Sequence, residues 1–152
     1  MEPTASPEPS AASTPPARAL VAIDEDGCRA LLERATVGRL AVSTDDGPEI
    51  FTVNYGVHDG AIVIRTGPGL KLAHASFHRV AFEVDELDTG HRTGWVVEAV
   101  GHAEDITDAI DQRSSDLRAV VVDPWVSGPH PNCIAIARPR LSGRRLVPAP
   151  AP

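Results

Sequence analysis

Ile50-Phe51-Thr52-Val53-Asn54-Tyr55-Gly56-Val57-His58-Asp59-Gly60-Ala61-Ile62-Val63-Ile64-Arg65-Thr66 decides the fold class. Ile50 to Val57 carries β-branched and aromatic residues, His58-Asp59-Gly60 supplies turn chemistry, and Ala61 to Thr66 is a short apolar run. The segment therefore reads as strand, tight turn, strand. Strands joined so closely lie antiparallel, because a parallel pair needs a crossover of about a dozen residues or more.

Working upstream, Val37 to Thr44 alternates apolar and polar residues and meets Asp45-Asp46-Gly47, a second hairpin signal. Before it, Asp24 is a good N-cap for a short amphipathic helix with Cys28, Leu31, Leu32 and Ala35 at helical spacing. Downstream, a glycine turn leads into a short helix whose Leu70, Ala73, His74 and Phe77 share a face. A strand over Arg79 to Leu87 follows, with Val80, Phe82 and Val84 pointing one way. Gly94 to Ile106 is a long strand in which Gly101 marks a bulge or bend. Thr107 is placed to cap a third helix, with Ala109, Ile110, Arg113, Leu117 and Val120 to Val122 on one face as far as Asp123-Pro124. A proline-rich loop then passes Trp125 and His130, ahead of strands at Cys133 to Ala137 and Leu141 to Val147. Six or seven strands joined mainly by hairpin turns predict a mainly β, α+β fold. The sheet is antiparallel and closes toward a small barrel, with short flanking helices.

The chain has 152 residues, enough for one hydrophobic core. With 42% hydrophobic and 23% charged residues it has the composition of a soluble globular protein. A net charge of −7 without a basic block argues against nucleic acid as a partner. No apolar run approaches the roughly 20 residues of a membrane span, and the N-terminus lacks secretory-signal features, so a cytoplasmic location is expected. Residues 1–19 are almost wholly Pro, Ala, Ser, Thr and Glu, and residues 148–152 are a proline-alanine tail. Both read as disordered, leaving a folded unit over 20–147. Cys28 and Cys133 form no CxxC spacing and read as buried thiols.

Lys71 is the only lysine of the chain. It follows Arg65-Thr66-Gly67-Pro68-Gly69, so a guanidinium, a hydroxyl, backbone N–H groups and an ammonium could converge on one phosphate-sized volume. A solvated lysine is the bland alternative. His74 and His78 are four apart, but no third ligand completes a recognisable metal motif, and no metal is predicted. Asp85, Glu86 and Asp88 read as a solvated strand end. His91 and His130 lie in loops, as pocket residues or as solvated side chains. Trp125 either covers a ligand or an interface, or packs in the core. No catalytic triad, nucleophile elbow or paired-carboxylate device is visible, and no catalytic residue is assigned.

The order of these runs resembles the pyridoxamine 5'-phosphate oxidase-like proteins, the flavin-binding split β-barrels. The resemblance covers about Asp24 to Val147. Its runs are Val37-Gly38-Arg39-Leu40-Ala41, Thr52-Val53-Asn54-Tyr55, Ile64-Arg65-Thr66-Gly67 with Lys71-Leu72-Ala73, and Val80 to Asp85. Gly94-Trp95-Val96-Val97, Gly101-His102-Ala103-Glu104 and Leu141-Ser142-Gly143-Arg144-Arg145 complete the set. It implies a six- to seven-stranded split barrel that forms a homodimer with FMN at the interface and acts on a small-molecule substrate. Arg65, Thr66 and Lys71 would hold the phosphate. The Val53-Asn54-Tyr55 strand would present backbone groups to the flavin ring, and Trp95 lies on a segment that approaches the cofactor in such proteins.

Two departures qualify the transfer. The chain lacks the tryptophan- and arginine-containing C-terminal segment that completes the pyridoxal phosphate site, so vitamin B6 oxidase activity is not expected. Leu70 stands where the oxidase tends to have a second basic residue, which weakens the phosphate grip. The leading expectation is an FMN-dependent oxidoreductase. Its alternatives are a deazaflavin-dependent reductase and a non-enzymatic carrier or sensor of flavin or haem.

Overall fold

The computed structural model describes residues 17–67 and 78–149. In chain order these form β1 (Arg18–Ile23), α1 (Glu25–Arg34), β2 (Val37–Thr44), β3 (Gly47–His58), β4 (Ala61–Thr66), β5 (Arg79–Asp88), β6 (Thr93–Asp105), α2 (Gln112–Arg118), β7 (Asn132–Ile136) and β8 (Arg140–Pro148). The predicted helix around Leu70 to Phe77, with Lys71 and His74, lies outside the described residues.

The two predicted hairpins form. β2 and β3 pair from Val37↔Asn54 to Thr44↔Gly47. β3 and β4 meet across Asp59 and Gly60, at φ 49° and 71°, with His58 opposite Ala61. Successive left-handed residues match the twist of the strands they join, which is why Asp-Gly is favoured there.

All strand pairings are antiparallel, in the order β1-β8-β6-β5-β2-β3-β4-β7, and a β6–β7 pairing closes six of the eight strands into a barrel. β6 makes the closure by changing neighbours. Gly94 to Val100 pair with β8, whereas Ala103 to Asp105 pair with β7. Gly101 sits between these stretches in unbroken register with Val80, so it is a bend and not a bulge. β8 and β1 extend the sheet beyond the barrel.

Alternation fills the interior with Leu40, Val42, Tyr55, Val80, Phe82, Val84, Val97 and Ala99, and α1 adds Cys28, Leu31 and Leu32. Burying each leucine contributes about 1.5–3 kcal/mol. Asp24 caps α1 as predicted, its carboxylate accepting the Gly27 N–H at 2.8 Å. A second apolar cluster lies on the other face of β4 and β7, where Ala61, Val63, Cys133 and Ala135 meet Ile106 and Leu117. β4 is thus covered on both faces, which explains its unbroken apolar run.

Two local predictions are corrected. β1 was not anticipated, and it begins at Arg18, slightly before the expected start of the folded unit near Leu20. The third helix begins at Gln112 and is capped by Asp111, which accepts from the Ser114 N–H at 2.9 Å and the Ser114 hydroxyl at 2.7 Å. Thr107 does not cap it, because its hydroxyl accepts the Cys133 N–H at 2.9 Å. Val120 and Val122 still pack on the second cluster, but from beyond the end of α2, and Ile110 is fully exposed. Among the described residues no helix is long and apolar enough to cross a membrane.

Candidate functional site

The β3–β4 register would next place Asn54 opposite Arg65 and Val53 opposite Thr66, but the pairing ends at Tyr55↔Ile64. β4 continues beside β7 as far as Thr66↔Asn132, and β3 continues beside β2. The two strands part, and a cleft of about 380 Å³ opens between them. Its strand side comprises Thr52, Val53, Asn54, Arg65, Thr66 and Gly67, and its other wall is the loop residues Pro124 and Val126 to His130.

The backbone is part of the lining. The Tyr55 N–H donates to the Thr36 carbonyl at 3.1 Å, toward β2. Strand alternation therefore turns the backbone groups of Thr52 and Asn54 toward the side β4 has left. Gly56 lets the loop lie close to β3, since a methyl group there would stand 2.6 Å from Val120 Cγ1.

Side chains tie β4 to the end of α2 and β3 to the loop. Arg65 donates a guanidinium N–H to the Arg118 carbonyl. The Arg118 side chain in turn donates to the carbonyls of Ile106 and Ala109, each at 2.7 Å. Asn54 Oδ1 accepts the Trp125 N–H at 2.9 Å. The Thr66 hydroxyl donates to the Gly67 carbonyl at 3.0 Å.

Arg65 and His130 line the cleft, and no carboxylate is among its described lining residues, although the whole chain carries a net charge of −7. Such a site selects anions against the field of the rest of the molecule. Guanidinium donors beside open backbone groups on an extended strand suit a ligand with a negatively charged end and a planar polar body.

The sequence-assigned residues divide accordingly. Val53, Asn54, Arg65 and Thr66 come together at the cleft. Tyr55 belongs to the same strand, but its ring is buried and its hydroxyl donates to the Leu32 carbonyl at 2.5 Å. Its backbone N–H is turned toward β2 and not toward the cleft, and burial raises its phenol above the ordinary range. Trp95 stands elsewhere, buried beneath the Arg34 guanidinium, which lies 5.7 Å from its ring centroid, and it borders a separate depression with Glu86 and Arg145. Lys71 lies outside the described residues.

Trp125 is 75% exposed at the cleft margin, so core packing within this chain is excluded. His91 interacts with Asp88 at 2.7 Å, well removed in sequence from the cleft loop. Among the described residues no cluster of three metal-ligating side chains occurs. Of the loop wall the sequence offered His130 as one of two loop-histidine pocket candidates and Trp125 as a cover, and of these His130 lines the cleft; Pro124 and Val126 to Pro129 were not assigned. The available signal there was an apolar Trp125-Val126 pair inside a proline- and glycine-rich run.

Both thiols are buried, as expected. Burial pushes Cys133 up, opposed by the nearby Arg65 and Arg118 charges, and burial also raises Cys28, with Asp24 and Glu25 adding to the rise. A raised folded value favours the neutral thiol in the native state. The contribution is therefore present below the unfolded value near 9.0 and is lost as pH rises from there through the raised folded value. Stability to urea should fall above about pH 9, and a thiol reagent should label the native protein no faster than it unfolds. Rapid labelling of the folded protein at pH 8 would contradict this.

A six-stranded antiparallel barrel with a cationic cleft where two strands separate defines the architectural class. The chain belongs to the pyridoxamine 5'-phosphate oxidase family, whose model matches residues 24–148. It is 32% identical over 142 residues to uncharacterized protein Rv0080 of Mycobacterium tuberculosis, covering 90% of this chain and 91% of that protein. Among solved structures, a candidate pyridoxamine 5'-phosphate oxidase from Corynebacterium glutamicum is 28% identical with a TM-score of 0.70, covering 87% of this chain and 96% of that one. The FAD binding protein of Mycobacterium smegmatis has a TM-score of 0.62 at 24% identity, covering 84% and 98% respectively, and this likeness carries the fold alone.

Proposed function

We propose that this protein binds a flavin nucleotide in the β3–β4 cleft, FMN in the first instance, and acts as a flavin-dependent oxidoreductase on a small molecule. The observation that carries the reading is the parting of the strands at Asn54 and Arg65, which exposes a backbone edge beside a cationic lining with no carboxylate among its described residues. Family membership supports it, and the structurally similar M. smegmatis protein binds FAD.

In this reading the free guanidinium N–H groups of Arg65 face the phosphate, with Lys71 as a second cation. The Thr66 hydroxyl, already donating to Gly67, shapes the turn more than it grips the ligand. The backbone of Thr52 to Asn54 meets the polar edge of the ring, and the loop wall keeps water from one side of it. A bound flavin supplies two-electron redox chemistry, so the chain has to supply orientation and a substrate cavity, not a catalytic triad. A homodimer in the cytoplasm, with a second copy completing the site, is the accompanying assembly.

The test is the absorption spectrum of the purified protein, followed by titration with FMN, FAD and riboflavin. Saturable FMN binding, weakened for riboflavin, is expected. A haem or deazaflavin spectrum would replace flavin by one of the alternatives, and no binding of any of the three flavins would overturn the assignment.

A further inference from the structure

Between Arg118 and Asn132 the chain contains no helix or strand, yet Pro124 and Val126 to His130 form one wall of the cleft. Apolar packing does little to hold this wall at its outer end, because Trp125 and Val126 are 75% and 73% exposed. Among the described residues, the Asn54 carboxamide reaches it from the barrel at that point, through the 2.9 Å bond from the Trp125 N–H to Oδ1. The amide nitrogen of the same group lies 3.5 Å from the Thr36 carbonyl. That contact orients the carboxamide with its oxygen toward the loop, since only the nitrogen can donate.

We propose that Asn54 is a positioning residue: its side chain clasps the Trp125 backbone and fixes the loop wall at the width that retains the ligand, without contacting the ligand itself. This rests on the reading of the cleft as a flavin site, and it gives the Asn54 side chain the role of loop anchor while its backbone keeps the contact expected with the cofactor. Because the clasp joins a barrel strand to a segment with no ladder of its own, losing it releases the wall while the barrel stays intact.

The test is hydrogen exchange at the Trp125 amide, read by NMR on the full chain with and without FMN. In the wild type this amide is expected to exchange at least about tenfold more slowly than in Asn54→Ala, as loss of one structural hydrogen bond implies. Asn54→Asp keeps an acceptor and should restore the protection. Protection should persist when FMN is added, and FMN should leave Asn54→Ala at least about tenfold faster than it leaves the wild type. Equal exchange in wild type and Asn54→Ala would overturn the proposal. So would loss of Trp125 protection on adding FMN, because the carboxamide would then have turned to the ligand; this comparison uses wild-type protein alone and does not depend on a variant folding. If the exchange pattern holds but FMN does not bind, the clasp stands and the flavin reading fails.

Discussion

Arg65→Ala is expected to raise the dissociation constant for FMN by about 10- to 100-fold, the effect of losing charge-assisted hydrogen bonds worth about 1.5–3 kcal/mol. Arg65 supplies the guanidinium on the strand side of a cleft whose described lining contains no carboxylate. One of its N–H groups is held by the Arg118 carbonyl, which fixes the planar fork while leaving its other donors for an anion. Arg118 keeps its own bonds to Ile106 and Ala109, so α2 should remain seated in the variant. Arg65→Lys retains the charge without the fork and should fall between wild type and Arg65→Ala. The penalty should nearly vanish for riboflavin, which has no phosphate. Fluorescence titration of both ligands measures it, and equal losses for FMN and riboflavin would place the guanidinium away from the phosphate.

Phe82→Ala should have the largest effect on stability, a loss of about 3–5 kcal/mol in chemical denaturation. Phe82 is 1% exposed and meets Tyr55 edge to face, with ring centroids 4.8 Å apart and planes at 74°. Its ring also fills the space above Gly38, where a methyl group would stand 2.2 Å from Cζ. Three strands of the barrel therefore pack through one side chain. Against a typical total of about 5–15 kcal/mol the variant would be marginal. Phe82→Leu, which leaves a smaller cavity, should lose clearly less. A loss below about 1 kcal/mol in Phe82→Ala would show that the barrel interior is not packed as described.

Much of the barrel was legible in the sequence because its hairpins are specified locally. Asp59-Gly60 dictates a turn, and the alternation at Val80, Phe82 and Val84 assigns faces without reference to the rest of the fold. β1 was not legible: Leu20 and Val21 are 61% and 48% exposed, so no burial pattern distinguishes the strand, and its order comes from pairing with β8. The α2 cap was misplaced because Thr107 and Asp111 are both chemically suitable caps, and only the tertiary bond from Cys133 decides between them.

The candidate site divides along the same line. Arg65 and Thr66 could be found because they end β4, and Val53 and Asn54, in the middle of β3, because the order of motifs resembles the family. The loop that faces them carries no periodicity, so its return to the cleft becomes visible only in the lining and the Asn54 side-chain bond.

The most direct test of the central claim is amide chemical-shift mapping of the labelled protein during FMN titration. The account predicts saturable shifts at Thr52, Val53, Asn54, Arg65, Thr66 and Gly67, together with the loop from Val126 to His130. Saturable FMN binding that leaves these amides unmoved would contradict it, as would the absence of any binding.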